Sequence, residues 1–398
     1  MQFQGDVTSP SKFQQPSTWY QGAWAPAPAP GEKLEGRSLS KMNTAKEEHR
    51  TDLDLAEWDD QKWWERDMTF AAMNRGANVS FPGGASTIVA NEGARLAAGK
   101  RKACDIAGGL ALAGPHPLVD RVRCDSLTPD DFCRLYERPY RPVIITGFAD
   151  SWPARHAWSY SEILRCKGEL RVKCGEDDDG YKIKVKLKHF VQYIRLQRDD
   201  SPLYVFDSSF EDYDGEDPSG SFLGEYEVPS FFREDLFQMV GEKRRPPYRW
   251  VLLGPRRSGT NVHIDPLATS AWNTLIFGHK RWVLFPPEAP EALVKGKKSW
   301  QTMCGLPLLR EDEDDEAIDY FENVLPRIRQ EIRDRRLDFE PIEFLQYPGE
   351  TVFIPGGWWH GVMNVDDTVA VTQNFVSSAN FEAVWLSTRG GRKKVSNG

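Results

Sequence analysis

The feature that most constrains the fold is a series of short apolar runs that begins after Tyr248. Gly, Pro, Asn and Asp residues separate the runs, and each run has the length of a single β-strand. In chain order they are RWVLLG, NVHID, AWNTLIF, RWVLFPP, ETVFIP, WWHGVMNV and TVAVTQNFV. Many short strands joined by such turns are typical of a closed all-β fold. The sequence therefore predicts a mainly β protein with a barrel or jelly roll at its core and helices outside it.

Composition divides the 398 residues into five predicted regions. The first is rich in Pro, Gln, Ser and Ala, which is typical of a disordered segment. The regions are a disordered tail over 1–45, an N-terminal helix with a flexible Gly/Ala-rich insertion over 46–120, a mixed helical and β region over 121–247, the β core over 248–390 and a basic end over 391–398.

Local signals place further elements in this frame. Helices are predicted after an N-cap at Ser126 or Thr128 and over Ser159–Cys166. The acidic segment 305–340 interrupts the β core and is predicted to be a helical or mobile excursion. The predicted strands before the core are 141–148, 202–209 and a hairpin over 172–190 around a DDDG turn.

The bulk composition excludes several classes of protein. The hydrophobic content is 40% and there are fourteen tryptophans, so the chain can bury at least one large core. The net charge of −8 argues against a polycation that coats nucleic acid. The six cysteines form no CxxC pair, and no apolar stretch approaches the roughly 18 residues of a membrane helix. We therefore expect a reduced, soluble, intracellular protein with no membrane partner.

The sequence His-Ile-Asp at 263–265 places two metal-binding side chains two residues apart. Alternate residues of a strand share a face, so His263 and Asp265 are predicted to point to one spot. His360 in PGGWWHGV is the best candidate for a third ligand. Two histidines and one carboxylate hold Fe(II) on one face of an octahedron and leave three positions open. An isolated HxD pair is weak evidence, because a single histidine is more often a hydrogen-bonded structural residue than a ligand.

Lys280 strengthens the metal hypothesis. It lies among aromatic and aliphatic residues, and a buried ammonium is costly unless an anion pairs with it. A dicarboxylate that chelates the metal at one end and meets Lys280 at the other would provide that anion. Thr372 can donate a hydrogen bond to the same carboxylate, although a β-branched strand former is the alternative interpretation. His279 should point to the opposite face and is interpreted as structural.

These stretches are similar to a known family. HIDPLATSAWNTLIFGHKRWVLFPP and PGETVFIPGGWWHGVMNVDDTVAVTQNF closely resemble the Jumonji-C (JmjC) oxygenases, in particular the branch named bifunctional arginine demethylase and lysyl-hydroxylase. The similarity extends over about Glu47 to Lys394, apart from the insertion at 75–114. Further segments that match the branch are ERPYRPVII, KCGEDDDGY, DDSPLYVFDSS, GEKRRPPYRWVLLGPRRSGT and SSANFEAVW.

The resemblance implies a double-stranded β-helix, a cupin-like jelly roll, over 248–390. It implies Fe(II) held by His263, Asp265 and His360, with 2-oxoglutarate and O₂ as co-substrates. Lys280 and Thr372 match the family's anchors for the far carboxylate of 2-oxoglutarate. The other positions that match the family's supporting residues are Tyr204, Thr260 and Asn273 around the co-substrate and Asn374 near the metal.

The resemblance also implies a reaction and partners. 2-Oxoglutarate and O₂ yield succinate and CO₂ while a C–H bond of a protein side chain becomes C–OH. The implied substrates are lysyl side chains in basic segments of splicing regulators and histones, with demethylation of N-methyl-arginine as a second activity. These substrates imply the nucleus, with the cytoplasm as a second location, and roles in chromatin regulation and RNA processing.

Alternatives stay open at this point. One is a catalytically silent scaffold that binds protein, or binds RNA through short basic clusters such as Lys243–Arg245 and Arg389–Lys394. Another is a cupin-like metal enzyme without a keto acid. Members of the branch commonly continue past the GRKK region into helices that support dimerisation, whereas this sequence ends at Gly398, so a homodimer is left open.

Overall fold

The computed structural model describes most of the chain from residue 119 onward. The described residues are 42, 119–176, 181–197, 199, 201–210, 220–241, 244–310, 313 and 316–391. Met42 is buried in the main hydrophobic core. The rest of the predicted tail lies outside the described residues, and so do residues 46–118 of the predicted helix and insertion and residues 392–398 of the basic end.

The described residues form thirteen strands. They are β1 Asp120–Arg123, β2 Val143–Thr146, β3 Arg171–Glu176, β4 Lys182–Lys186, β5 Val205–Asp207, β6 Arg249–Gly254, β7 Gly259–His263, β8 Ser270–Phe277, β9 Lys280–Phe285, β10 Ile342–Gln346, β11 Glu350–Ile354, β12 Trp359–Asn364 and β13 Thr368–Phe375. The α-helices are α1 Pro129–Phe132, α2 Ala154–Ala157, α3 Tyr160–Lys167, α4 Leu187–Leu196, α5 Glu291–Val294, α6 Ala317–Asp319, α7 Leu325–Arg335 and α8 Phe381–Gly391.

Two sheets form the core. The major sheet has the order β1-β2-β11-β8-β13-β6-β5, and its only parallel pair among the described strands is β1 with β2. The minor sheet has the order β10-β9-β12-β7 and is antiparallel. The sheets face each other, since Gln346 of the minor sheet donates from Nε2 to the backbone oxygen of Asn273 in the major sheet at 3.0 Å. This arrangement is the predicted jelly roll, and the mainly β fold class is confirmed.

The outer faces of both sheets are also covered. The major sheet packs its outer side chains against the region before β6, and the two central strands β8 and β13 are buried at every residue. The minor sheet packs against α6, α7 and the π-helical turn Tyr320–Val324 between them. Strands buried on both faces have no polar side to alternate with, which explains the near-continuous apolar runs in the sequence. None of the described helices is long and apolar enough to cross a membrane.

The helix caps agree with the sequence signals, whereas the end of the predicted hairpin does not. Thr128, one of the two predicted N-cap candidates, caps α1 in a capping box with Asp131. The helix predicted over Ser159–Cys166 is α3, and Ser159 is its N-cap. The predicted hairpin over 172–190 is wrong at its end, because the chain from Leu187 onward forms α4. The acidic excursion is helical over 317–335. Strand β10 was not predicted from the sequence.

The outer core of the major sheet depends on Phe232. This side chain is fully buried, and its ring stacks on that of Trp272 with the centroids 6.2 Å apart. The rings of Phe353 and Phe375 lie 5.9 and 5.4 Å away. Phe232 therefore ties the region before β6 to three strands of the major sheet.

We predict that Phe232→Ala lowers the free energy of unfolding by about 3–5 kcal/mol, because it removes buried surface and leaves a cavity. Chemical denaturation followed by tryptophan fluorescence measures the change. Phe381→Ala is the matched control, since Phe381 is 48% exposed and its loss should change the free energy by only about 0.5 kcal/mol. Similar losses for both variants would contradict this account of the core.

Candidate active site

Three potential metal ligands meet where the edge strand β7 of the minor sheet pairs with its neighbour β12. His263 is the last residue of β7, and it lies directly opposite His360 on the neighbouring strand β12. Residues that pair across an antiparallel ladder project on the same face, so both imidazoles point to one side. Asp265 follows two residues after His263 in extended backbone, with φ −60° and ψ 142°. The predicted strand NVHID thus ends at His263, but the extended backbone still brings Asp265 to the histidines.

The ligand atoms of these three side chains lie close together. Each offers one atom, and the three atoms are all within 4.8 Å of one another. Asp265 Oδ1 is 3.7 Å from the Nε2 atoms of both His263 and His360. The two imidazole rings have centroids 4.3 Å apart. This is a spacing that one ion between the three atoms could bridge.

The hydrogen bonds of both histidines suit metal binding. The Nδ1 atom of His263 lies 2.7 Å from the backbone oxygen of Asn261, and that of His360 lies 3.1 Å from the oxygen of Trp358. A carbonyl oxygen only accepts, so each Nδ1 carries the proton and each Nε2 lone pair is free for a metal. Burial, with a smaller contribution from His263, lowers the pKa of His360 to about 4. His360 is therefore neutral at pH 7, as a ligand must be.

An irregularity in β7 brings a further predicted residue to the same face. The ladder pairs His360 with His263 but Val362 with Thr260. Between these two pairs β7 therefore contains one residue more than β12. Without this bulge, residues three apart would project on opposite faces. Thr260 instead shares the face of Val362, which packs among the side chains between the sheets. The bulge therefore lets Thr260 and His263 both face the interior.

The turn after Asp265 is strained and closely packed. Leu267 and Ala268 have φ values of 59° and 55°, which are left-handed conformations that residues with a Cβ rarely adopt. A Cβ at Gly356 would lie 2.3 Å from the backbone oxygen of Ala268, so only glycine fits there. Asn374 donates from Nδ2 to the hydroxyl of Thr269 at 2.8 Å. The predicted position of Asn374 near the metal corresponds here to a contact with the turn that carries Asp265.

We predict that Ala268→Gly raises the free energy of unfolding by about 1 kcal/mol, because glycine adopts positive φ without the steric cost of a Cβ. Chemical denaturation of the metal-free protein measures the change. Ala271→Gly is the control: Ala271 lies in extended backbone in β8, and its replacement should lower stability by about 0.5–1 kcal/mol. A loss of stability in both variants would show that the turn is not strained.

Lys280 is fully buried at the start of β9. Its Nζ donates to the Asn364 Oδ1 atom at 2.7 Å and to the Tyr204 hydroxyl at 2.8 Å, and the Thr368 hydroxyl is 3.4 Å away. Burial lowers the pKa of Lys280 to about 7, and the negative charge of Asp366 partly opposes this effect. The ammonium is thus desolvated and has uncharged hydrogen-bond partners, which favours an anionic ligand beside it.

The structure brings some predicted co-substrate residues together and leaves others apart. Tyr204 contacts Lys280 directly through its hydroxyl. The hydroxyl that lies near Lys280 is that of Thr368, whereas Thr372 donates to the backbone oxygen of Trp272 at 2.9 Å. Thr372 does lie on the interior face, in register with Asn273 of β8. Asn273 Oδ1 accepts a hydrogen bond at 3.4 Å from Nε2 of Gln346, which belongs to the opposite sheet.

Sequence reasoning missed Asn364 and Thr368. Asn364 is four residues after His360 on β12, and strand periodicity alone places both on one face. The segment WHGVMN therefore contains a sequence signal for Asn364. Thr368 lies across the turn after β12 and has no comparable signal. His279 is structural, as expected: its Nδ1 lies 2.7 Å from the buried carboxylate of Asp366.

A jelly roll that carries two histidines and one carboxylate on one interior face defines the class of mononuclear non-haem metal enzymes. The comparison with known families gives the more specific assignment. The family model described as JmjC domain, hydroxylase, matches residues 250–375. The chain belongs to the JmjC hydroxylase family.

Two similar relatives are named bifunctional arginine demethylase and lysyl-hydroxylase psr-1. The protein of Caenorhabditis elegans is 44% identical over 70% of this chain and 66% of its own length. That of Caenorhabditis briggsae is 43% identical over 73% of this chain and 71% of its own length. A 2-oxoglutarate and iron-dependent oxygenase, JMJD4 of Gallus gallus, is 26% identical over 70% of this chain and 64% of its own length.

The predicted family and the predicted enzyme class are therefore confirmed. The chain is a 2-oxoglutarate-dependent oxygenase with an Fe(II) cofactor, and the donor set of His263, Asp265 and His360 fits that metal.

Proposed function

We propose that this protein hydroxylates lysyl side chains of nuclear proteins that act in RNA processing, and that it also demethylates N-methyl-arginine. The convergence of His263, Asp265 and His360 within 4.8 Å carries the oxygenase part of this proposal. The names of the two psr-1 relatives support the choice of lysyl and arginyl side chains.

In this proposal His263, Asp265 and His360 hold Fe(II) through two Nε2 atoms and one carboxylate oxygen. The bound metal supplies open coordination positions for 2-oxoglutarate and O₂. The backbone oxygens of Asn261 and Trp358 keep the imidazoles in the tautomer that binds a metal. Asn374, through Thr269, supports the turn that presents Asp265.

Lys280 binds the far carboxylate of 2-oxoglutarate, and Tyr204, the residue before β5, supports Lys280 through the hydrogen bond between its hydroxyl and the ammonium. The roles of Thr260, Asn273 and Thr372 follow from the family resemblance and from their position between the sheets. Thr372 would have to turn its hydroxyl from Trp272 toward the co-substrate, which is a rotation about one side-chain bond.

We predict that His263→Ala and Asp265→Ala each lower succinate formation by more than about 100-fold, because changes even to groups behind metal ligands cost 10–100-fold. Succinate released from 2-oxoglutarate in the presence of Fe(II) is the measurement. His156→Ala removes an exposed histidine and should leave the rate unchanged. Turnover at the wild-type rate in either ligand variant would exclude this metal site.

We also predict that the affinity for 2-oxoglutarate falls as the pH rises above about 7. Burial lowers the pKa of Lys280 to about 7, so the free protein carries the ammonium below this pH and progressively loses it above. Burial raises the pKa of Tyr204, so its hydroxyl stays neutral over this range. The dissociation constant should rise by up to about tenfold per pH unit above the pKa.

Calorimetry between pH 6 and 9, with Mn(II) in place of Fe(II) to prevent turnover, measures this dependence. Lys280→Met keeps most of the side-chain length without the charge, and it should bind 2-oxoglutarate weakly at every pH. A wild-type affinity that stays constant across the range would mean that Lys280 does not bind the co-substrate.

The substrates are basic segments of splicing regulators and histones, and the protein acts in the nucleus, with the cytoplasm as a second location. The net charge of −8 favours association with such segments. Mass spectrometry of nuclear-extract peptides incubated with protein, Fe(II) and 2-oxoglutarate tests this proposal. A gain of one oxygen on lysine that requires His263 supports it, and its absence from all lysyl peptides argues against it.

A silent scaffold that binds RNA is the second candidate, and the basic cluster Lys243–Arg245 is one of the features that suggested it. Arg245 is buried, and it forms an ion pair with Asp235 and lies over the ring of Tyr248 at 3.1 Å. This guanidinium is therefore part of the core and does not contribute to a basic surface. The observation favours the enzyme.

A further inference from the structure

The shortest hydrogen bond of the Lys280 ammonium is to an amide that no part of the proposed reaction requires. Asn364 Oδ1 accepts from Lys280 Nζ at 2.7 Å, the shortest of the three hydrogen bonds of this group. Both side chains are fully buried. Because water does not solvate the ammonium, the amide dipole fixes where its charge lies.

The orientation of this amide is fixed by a chain of hydrogen bonds. Asn364 Nδ2 donates to the Ser258 hydroxyl at 2.9 Å, and that hydroxyl donates to the backbone oxygen of Pro255 at 2.6 Å. The backbone nitrogen of Asn364 also donates to the oxygen of Ser258 at 2.8 Å. A flipped amide would point its NH₂ group at an ammonium, so only one orientation satisfies every group.

The side chains around Lys280 leave no room for a Cβ atom on the neighbouring residue Gly254. A Cβ at Gly254 would lie 2.4 Å from both the Ser258 hydroxyl and Tyr204 Cδ2, and 2.9 Å from Asn364 Nδ2. The last residue of β6 is therefore glycine because three side chains of the Lys280 environment occupy the space above it.

The nearby carboxylate is held away from Lys280. Asp366 Oδ1 accepts a hydrogen bond from the backbone N–H of His279 at 2.5 Å, and Asp366 Oδ2 lies 2.7 Å from His279 Nδ1. Asp366 acts on Lys280 through its charge, without a hydrogen bond between them. The fold thus places a buried acid close by but pairs it with another residue.

We propose that Asn364 is a positioning residue for co-substrate binding, which holds the ammonium of Lys280 in place without neutralising it. Ser258 fixes the orientation of the amide. The positive charge consequently remains available for a carboxylate of a bound dicarboxylate. This inference rests on the proposed function, since it requires 2-oxoglutarate to reach Lys280.

Asn364→Asp gives the sharpest test, because aspartate has almost the same shape as asparagine but carries a carboxylate. The new charge would pair with Lys280 permanently and would compete with 2-oxoglutarate. We expect the dissociation constant for 2-oxoglutarate to rise by about 100-fold, which is the effect of losing one buried charge-pair partner. Asn364→Leu removes the amide without adding a charge and should raise the constant by about tenfold.

The measurements are calorimetry with 2-oxoglutarate in the presence of Mn(II), and the KM and kcat for 2-oxoglutarate with Fe(II). A positioning role predicts a higher KM and a kcat within about twofold of the wild type at saturating 2-oxoglutarate. Ser258→Ala gives a milder variant, expected to raise the dissociation constant about threefold. Thr274→Val is the control, since it removes a buried hydrogen bond to Thr351 at 2.8 Å on another part of the sheet.

Wild-type affinity in both Asn364 variants would overturn the inference, and so would equal losses in Asn364→Asp and Thr274→Val. A fall in kcat with an unchanged KM would also overturn it, because that result would indicate a structural effect at the metal. Failure of the wild type to bind 2-oxoglutarate at all would refute the proposed function instead, and is thereby distinguishable.

Discussion

The pairing of β7 with β12 is the contact on which the candidate active site depends. It sets His263 opposite His360 and so presents two imidazoles on one face. β7 is an edge strand of the minor sheet and pairs with β12 alone, so the position of His263 rests on that ladder and on the hydrogen bond of its ring to Asn261. The position of Asp265 depends in addition on the turn at 266–268, which directly follows it.

The interior between the sheets is divided along the strands. Beside the metal ligands, Trp282 packs with Phe344 among aliphatic side chains, and its ring centroid lies 6.3 Å from that of His360, so an apolar cluster separates this histidine from Lys280 on the interior face. Polar groups occupy the same face further along, where Lys280 and Asn364 lie side by side in the ladder of β9 and β12. The apolar part stabilises the fold, and the polar part is tolerated because its members satisfy one another's hydrogen bonds.

The fold and the metal ligands could be predicted from the sequence for a clear physical reason. Strand periodicity and the turn residues report local structure, so the runs after Tyr248 indicated the strands and His-Ile-Asp indicated two ligands. The position of Lys280 among apolar residues predicted that an anionic ligand binds beside it. In contrast, β10 contains polar residues that are buried, Glu343 and Gln346, so its pattern does not resemble a core strand.

Features that depend on tertiary contacts were not predictable in the same way. The bulge that turns Thr260 inward is defined by the pairing of β7 with β12, and the sequence of β7 contains no signal that predicts it. The proximity of Thr368 to Lys280 depends on the course of the turn after β12. Asn364 is the intermediate case, since its face was predictable from His360 but its partner was not.

The strand order also determines when the site can exist during synthesis of the chain. Arg121, beside β2, is bonded to Glu350 of β11, 229 residues later, and β11 separates β2 from β8 in the major sheet. Contacts between such distant segments form late, after the entropy of closing long loops has been overcome. A nascent chain that has not yet released β12 and β13 from the ribosome holds His263 and Asp265 without their third ligand. The three-ligand set is therefore complete only once β12 has paired with β7.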